Sequence, residues 1–343
     1  MTEIYIIRHG EAEGNVFRRF HGQYESLLTP RGHRQVECVA KRFEHIHIDA
    51  CYSSDMTRTS LTARSIYVPK GLKLIRDPRF KESHVGIWED VPFGWLNRFC
   101  PEKMDKFIHN PYTYRCEGGE SFDEYTQRFY EGVVDAATAH DGGTIAIFAH
   151  GTVIRGFLLR QFFMGRAKEI PYCDNTGVCR IFYDKGEFRY DYVNDNSHLP
   201  YALSTFALQS WWRDTGKRAE ADCWFQPYEA GTKLPHGLKL PEMDEDGICF
   251  TAMLQDTPVG VISLGAAEGE TGRIRGMALP EALDGRMYGD QLLGNAFSHF
   301  RRLGCTRLAA DPGWYPDNVL DRYGFTEEGR SRSIDVNAFD WTK

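Results

Sequence analysis

Two short apolar runs in this chain each end in a His-Gly pair. Ile4-Tyr5-Ile6-Ile7 leads into Arg8-His9-Gly10, and Thr144-Ile145-Ala146-Ile147-Phe148-Ala149 leads into His150-Gly151. Near-continuous aliphatic runs of this length fit strands buried on both faces, as in parallel sheets covered by helices. Ligands of such sheets bind outside the carboxyl ends of the strands. His9 and His150, far apart in the chain, can therefore meet in one pocket. Two histidines with arginines nearby suit a phosphoryl group and nucleophilic catalysis by imidazole.

The 343 residues are enough for two domains. Over residues 1–200 strand-like and helix-like segments alternate, the pattern of a layered α/β domain. Thr29-Pro30 reads as an N-cap and first turn for a helix over Arg31–Phe43, and Ser121 as the cap of another. Gly177–Tyr183 and Phe188–Val193 read as a closing hairpin around Lys185-Gly186. Residues 201–220 read as a linker. Residues 221–343 form a second alternating unit, with a hairpin around Gln255-Asp256 and an amphipathic helix over Gln291–Leu303.

The formal net charge of −7 argues against a general nucleic-acid grip. Nine cysteines without a C-x-x-C pair read as reduced thiols. The amino terminus has no signal-peptide pattern and no apolar run is long enough to span a bilayer, so a cytoplasmic protein with no membrane partner is expected.

Five motifs follow one another through residues 1–200: Arg8-His9-Gly10-Glu11-Ala12-Glu13-Gly14-Asn15, Tyr52-Ser53-Ser54-Asp55-Met56-Thr57-Arg58-Thr59, Lys81-Glu82-Ser83-His84-Val85-Gly86-Ile87-Trp88-Glu89, Glu117-Gly118-Gly119-Glu120-Ser121 and Ala149-His150-Gly151. In this order they resemble the histidine phosphatase superfamily, the phosphoglycerate mutase-like fold. The resemblance implies a three-layer α/β/α domain. It also implies His9 as the nucleophile that becomes phosphohistidine, and Glu82 as the acid that protonates the leaving oxygen and then activates water. His150 is expected to be a second donor to the phosphoryl oxygens, and Arg8 and Arg58 are forked cations matching those oxygens. Asn15 and Gly151 join the phosphate contacts, and His21-Gly22 falls on the substrate rim. The attacking ring needs its other nitrogen protonated and held by an acceptor. No cofactor is required, and no zinc-like ligand spacing is present.

Arg18 and Arg19 read as a solvated rim, Trp88 as packing, and His45 and His47 as surface residues. Ala12 and Asp90 depart from the residues usual in the family, a hydroxyl and a glycine. The short stretch between Trp88 and Gly118 leaves little room for an elaborate lid. Hydrolysis is therefore favoured over mutase transfer, which must shield phosphohistidine from water.

Residues 221–343 resemble the GNAT acyltransferase fold, a smaller α+β domain. Trp224-Phe225-Gln226-Pro227, the strand ending at Leu279 before Pro280, and Tyr323-Gly324-Phe325 stand in family order. That resemblance implies acetyl-CoA, cradled at a helix start. The family pattern Gln/Arg-x-x-Gly-x-Gly/Ala, however, reads Asp284-Gly285-Arg286-Met287-Tyr288-Gly289 here, and the usual proton-donating tyrosine falls on Leu320. A degenerate CoA loop and a packing or specificity module are the expectation.

The reading is a metal-independent phosphatase acting on a small phosphorylated metabolite. Its rivals are a phosphoglycerate mutase-type transferase, a bifunctional phosphatase and N-acetyltransferase, and a pocket that binds without turnover. A homodimer is compatible with all of these.

Overall fold

The computed structural model describes residues 1–209, 221–236, 238, 240–283, 287–313 and 315–336. The chain runs β1 (Thr2–Arg8), α1 (Glu13–Phe17), α2 (Pro30–Phe43), β2 (Ala50–Ser53), α3 (Thr57–Tyr67), β3 (Leu74–Arg76), α4 (Phe93–Phe99), α5 (Pro101–His109), α6 (Phe122–Ala139), β4 (Thr144–Ala149), α7 (Gly151–Gln161), β5 (Val178–Asp184) and β6 (Glu187–Asp195). It continues through α8 (Thr205–Leu208), β7 (Trp224–Pro227), β8 (Ile248–Leu254), β9 (Thr257–Leu264), β10 (Thr271–Ala278), α9 (Tyr288–Arg302), β11 (Arg307–Ala310), α10 (Val319–Arg322), β12 (Thr326–Glu328) and β13 (Ser331–Asp335). Among the described residues no helix is long and apolar enough to cross a membrane.

Alternation along the central strands builds two cores at once. Ile4 and Ile6 of β1, with Ile145 and Ile147 of β4, bury against Phe129 and Val133 of α6 and Phe157 of α7. Tyr5, Ile7, Ala146 and Phe148 point the other way, onto Val39 and Phe43 of α2 and Ala63 and Ile66 of α3. Period-2 side chains buried on both faces give the three-layer arrangement. The sheet order is β3-β2-β4-β1-β5-β6. Its first four strands are parallel and β5 and β6 close it antiparallel. Thr29 caps α2 through Gly32 N–H at 3.0 Å, and Ser121 and Glu124 form a reciprocal capping box on α6.

The second sheet runs β12-β13-β11-β10-β9-β8-β7. Among the described residues only the β10–β11 pairing of this sheet is parallel, with α9 between the two strands in sequence. Leu292, Leu293, Ala296 and Phe300 of α9 share its core with Ile262, Leu264 and Ile274.

The two compact units are not consecutive blocks of sequence. One comprises Met1–Ala12, His21–Glu89 and Glu102–Ser210, the other Glu13–Phe20, Asp90–Pro101 and Trp211–Lys343. A division at residues 200 and 221 misses this exchange, because Val16 and Phe17 of α1 belong to the second core and Phe99 of α4 packs edge-on against Trp224 of β7 at 5.1 Å. Phe17 packs against Phe297 and Tyr323, each at 5.2 Å between ring centroids. A Cβ on Gly294 would fall 2.4 Å from Phe17 Cβ, so only glycine lets α1 approach α9 this closely. Arg18 and Arg19, expected on a solvated rim, are each only 3% exposed. Arg18 donates to both carboxylate oxygens of Asp222, and Arg19 to Asp90. Each buried guanidinium thus has a buried carboxylate partner, without which it would be a strongly destabilising lone charge.

The first part of the expected linker is ordered. Gln35 Nε2 donates to Leu203 O and to Thr205 Oγ1, and Ser204 caps α8. The paired tryptophans at positions 211 and 212 lie outside the described residues. α4 and α5 occupy the stretch where little room for a lid was expected, and the β12–β13 hairpin carries too few alternating residues to be read ahead. Trp88 is packing, stacked on Tyr114 at 5.3 Å.

Truncating Phe17 to alanine should cost about 3–5 kcal/mol, the usual range for a buried aromatic. Urea denaturation checks this, and a loss under 1 kcal/mol would mean α1 is not part of that core.

Candidate active site

β1 and β4 are neighbours in register, with Arg8 opposite Ala149, so the residues following them emerge side by side. The rings of His9 and His150 lie 5.2 Å apart. Both are buried, His9 at 5% and His150 at 0% exposure.

His9 is held by a contact that decides its chemistry. Its Nδ1 lies 2.7 Å from the Gly10 carbonyl oxygen. A carbonyl can only accept, so Nδ1 carries the proton and Nε2 keeps its lone pair. Burial first, then the charges of Arg58 and Arg8, push the imidazole well below its ordinary value, against a smaller opposing effect of the Gly10 bond. The ring is neutral. Its backbone is pinned from the opposite strand end, where Thr176 N–H and the Asn175 side-chain amide both donate to His9 O, at 3.2 and 3.1 Å.

Arg58 stands in the first turn of α3 and is 1% exposed. Its terminal nitrogens donate to Gly22 O at 2.7 Å and Tyr24 O at 2.9 Å, and its Nε donates to His150 Nδ1 at 3.2 Å. That last bond makes Nδ1 of His150 an acceptor. Nε2 carries the proton and donates to Ser54 Oγ at 2.8 Å. Burial, then Arg58 and His9, hold His150 well below the ordinary histidine value. The second donor expected at this position is thus a neutral ring, held so by its burial and by the neighbouring Arg58.

Arg8 donates to Cys173 O, while its Nε is buried with no hydrogen-bond partner among the described residues. A buried orphan N–H on a cation is costly unless something accepts from it. Gly151 opens α7 beside it, where a Cβ would lie 3.3 Å from that same Nε.

Glu82 is 8% exposed and caps α7 from outside. Its carboxylate accepts Thr152 N–H at 3.0 Å, Val153 N–H at 3.1 Å and Ser83 N–H at 2.8 Å. His150, at the N-cap position, supplies no side-chain cap, so Glu82 fills that role. Arg128 donates to Glu82 O and is itself gripped by Glu120 through two contacts at 2.7 and 2.8 Å.

The structure therefore brings Arg8, His9, Arg58, Glu82, His150 and Gly151 together around the carboxyl ends of β1 and β4. Gly22 joins them through Arg58, and His21, next to Tyr24 at 4.7 Å, adds to the depression of His9. Asn15 lies in α1, in the second unit, and its assignment to phosphate rests on the motif alone. Asp284, Gly285 and Arg286 lie outside the described residues. Met287 is the N-cap of α9, and Tyr288 and Gly289 are buried in its first turn.

Sequence reasoning missed Glu89 as a structural clamp. Its carboxylate accepts Gly22, Gln23 and Tyr24 N–H groups at 3.1, 2.8 and 2.9 Å. It also missed Asn175, which the turn signal Asn175-Thr176-Gly177 before β5 could have raised. Among the described residues no group of three or more His, Cys, Asp or Glu is placed to hold a metal ion.

A neutral imidazole with a free nitrogen, set among buried cations at the exit of a parallel sheet, defines a phosphoryl-transfer pocket. Residues 4–196 match the model of the histidine phosphatase superfamily (branch 1), and residues 206–314 that of the acetyltransferase (GNAT) family. The chain belongs to the histidine phosphatase superfamily and is an enzyme of the phosphatase type, followed by a GNAT domain. It is 27% identical over 182 residues to phosphoserine phosphatase 1 of Hydrogenobacter thermophilus, covering 53% of this chain and 86% of that one. It is 32% identical over 154 residues to the probable phosphoglycerate mutase GpmB of Serratia proteamaculans, covering 45% and 72%. The solved structure of Bacillus stearothermophilus YhfR superposes with a TM-score of 0.55 at 30% identity, covering 58% of this chain and 99% of that one.

The buried neutral histidines set a pH dependence of stability. Both rings have lowered folded-state values, so the unfolded chain binds protons below about pH 6.5 that the folded chain does not. Stability is full above that pH. It falls on acidification by up to about 1.4 kcal/mol per pH unit for each ring, until its folded value is reached. His9→Asn should flatten the slope between pH 7 and 5 by one such step in urea titrations. Equal slopes for the two proteins would contradict a neutral buried His9.

Proposed function

We propose that the enzyme hydrolyses a small phosphomonoester without a metal, through phosphohistidine on His9. The observation that carries this is the Nδ1–H bond to Gly10 O at 2.7 Å, which leaves Nε2 as the nucleophile. Glu82 first takes a proton from solvent as the substrate dianion enters; Nε2 then attacks phosphorus, the bond to the ester oxygen breaks, and that proton passes to the leaving oxygen. Glu82, now a carboxylate, takes a proton from the attacking water, the N–P bond breaks and phosphate leaves. Arg8 and Arg58 balance the charge spread over the phosphoryl oxygens, and the orphan Nε of Arg8 is suited to one of them. His150 carries its proton on Nε2 and can turn it from Ser54 Oγ to one of those oxygens.

The phosphoserine phosphatase relative makes a small phosphorylated amino acid a first substrate to try. The relative described as a probable phosphoglycerate mutase keeps phosphoryl transfer between hydroxyls as a second reading. Free phosphate measured against positional isomer, with phosphoglycerate as substrate, separates the two. With para-nitrophenyl phosphate and EDTA present, His9→Ala should fall to the uncatalysed background. Glu82→Gln should lose about 10²–10⁴-fold, the range for a general acid. An active His9→Ala protein would remove the nucleophile.

We infer that the GNAT domain does not take acetyl-CoA, on the described residues at the start of α9. Asp290, 4% exposed, sits in the first turn of α9 and pairs with Arg322 at 3.1 Å. A pyrophosphate at that helix start would meet a carboxylate. A Cβ on Gly289 would come within 3.0 Å of Pro316 Cβ. Beyond the β10–β11 pairing, Asp311 bridges Arg273 and Arg275 at 2.8 and 2.6 Å, and Tyr315 donates to Asp311 O. Calorimetry of the full chain with millimolar acetyl-CoA should give no binding heat, and a saturable isotherm would reverse this assignment.

A further inference from the structure

The loop that follows β1 is held one peptide unit at a time, by residues of its own compact unit. His9 O accepts Thr176 N–H and the Asn175 amide, and Gly10 N–H donates to Thr62 Oγ1 at 2.9 Å. Glu11 O accepts Thr29 N–H at 2.9 Å. The unit in between, Gly10 C=O with Glu11 N–H, is the one that sets the tautomer of His9. Its carbonyl accepts the Nδ1 proton at 2.7 Å, and its N–H donates to Gln35 Oε1 at 2.7 Å. A trans peptide unit is planar, so its C=O and N–H point opposite ways. Holding the N–H therefore aims the carbonyl.

Gln35 comes from α2 and is 0% exposed. Its amide can face the loop in only one sense. Leu203 O can only accept, so it takes a proton from Nε2 at 2.7 Å. That turns Oε1 to Glu11 N–H, which can only donate. Thr205 Oγ1 joins the two sides, accepting from Gln35 Nε2 at 3.0 Å and donating to Glu11 Oε2 at 2.8 Å. A buried amide carries a desolvation cost that an apolar side chain of the same length would not, so filling the core does not explain it.

We infer that Gln35 is a positioning residue for the nucleophile: with its amide oriented by Leu203 and Thr205, it holds the Gly10–Glu11 peptide so that the proton of His9 stays on Nδ1 and Nε2 stays bare. The inference rests on the phosphatase reading for the role of Nε2. Without this acceptor the peptide can turn, and the ring can carry its single proton on either nitrogen. A ring protonated at Nε2 cannot attack phosphorus. Arg8 and Arg58 keep their own contacts, so the anion still binds while the reactive fraction of the ring falls.

The test uses the full chain with Gln35→Met and Gln35→Glu. Both lose the amide donor to Leu203 O and Thr205 Oγ1, but only methionine also removes the oxygen that accepts Glu11 N–H. Readouts are Tm, the ring nitrogen NMR shifts of His9 assigned by comparison with His9→Asn, the Kd of inorganic phosphate by calorimetry, and kcat with para-nitrophenyl phosphate at the plateau of each pH profile. Gln35→Met should lower kcat about tenfold, the worth of one hydrogen bond. Its His9 shifts should move from a ring protonated at Nδ1 toward one protonated at Nε2, and its phosphate Kd should not rise. Gln35→Glu should keep the parent tautomer and most of kcat, although Tm falls in both variants. Equal losses of kcat in the two variants, or a His9 still protonated at Nδ1 in Gln35→Met, overturn the inference. If Gln35→Met does not fold, Thr205→Val, which removes one partner of the Gln35 amide, should move the His9 shifts the same way in smaller measure. The parent spectrum there overturns the inference too. A parent that turns over no ester sinks the hydrolase reading alone, because the ring shifts still decide the role of Gln35. A parent ring protonated at Nε2 sinks both.

Discussion

The guanidinium of Arg58 is buried, and every one of its nitrogens is committed: two to the carbonyls of Gly22 and Tyr24, one to Nδ1 of His150. A buried cation needs acceptors, and meeting that need organises its surroundings. It sets the tautomer of His150 and, through charge, helps keep both histidines neutral. It fixes the segment that carries His21. The pocket thus holds positive arginines beside uncharged imidazoles, the arrangement on which the proposed attack by His9 draws.

Glu82, the proposed acid, also has a place in the fold. Its carboxylate closes the start of α7, where backbone N–H groups have no partner within the helix. The same contacts tie it to the helix that His150 and Gly151 open. Arg128 and Glu120 lock the backbone of Glu82 from behind.

The GNAT domain has a seven-stranded sheet and one long helix, and several polar side chains of that helix are buried. Asp290 pairs with Arg322, Gln291 caps the backbone of Ala221 and Cys223, and Ser298 serves Asp90. α9 also accepts α1, a helix that follows the nucleophile motif by only a few residues. A fold associated with one chemistry here presents its helix face as a packing surface.

Much of this was legible in the residues themselves. Unbroken aliphatic runs announced β1 and β4 as doubly buried strands, Thr29-Pro30 and Ser121 announced two helix starts, and the ordered motifs announced His9, Glu82, Arg58 and His150. These features are local, or depend on spacing, and a linear reading can weigh them. What a linear reading could not see depended on partners distant in the chain. Arg18 and Arg19 look solvated until Asp222 and Asp90 appear beside them. α1 is five residues long and too short to declare itself; it exists because Phe17 fits over Gly294. The charge state of His150 followed from the direction of one hydrogen bond. Residue order settled which groups could do the chemistry. Burial and long-range pairing decided which of them are charged, and which instead hold the molecule together.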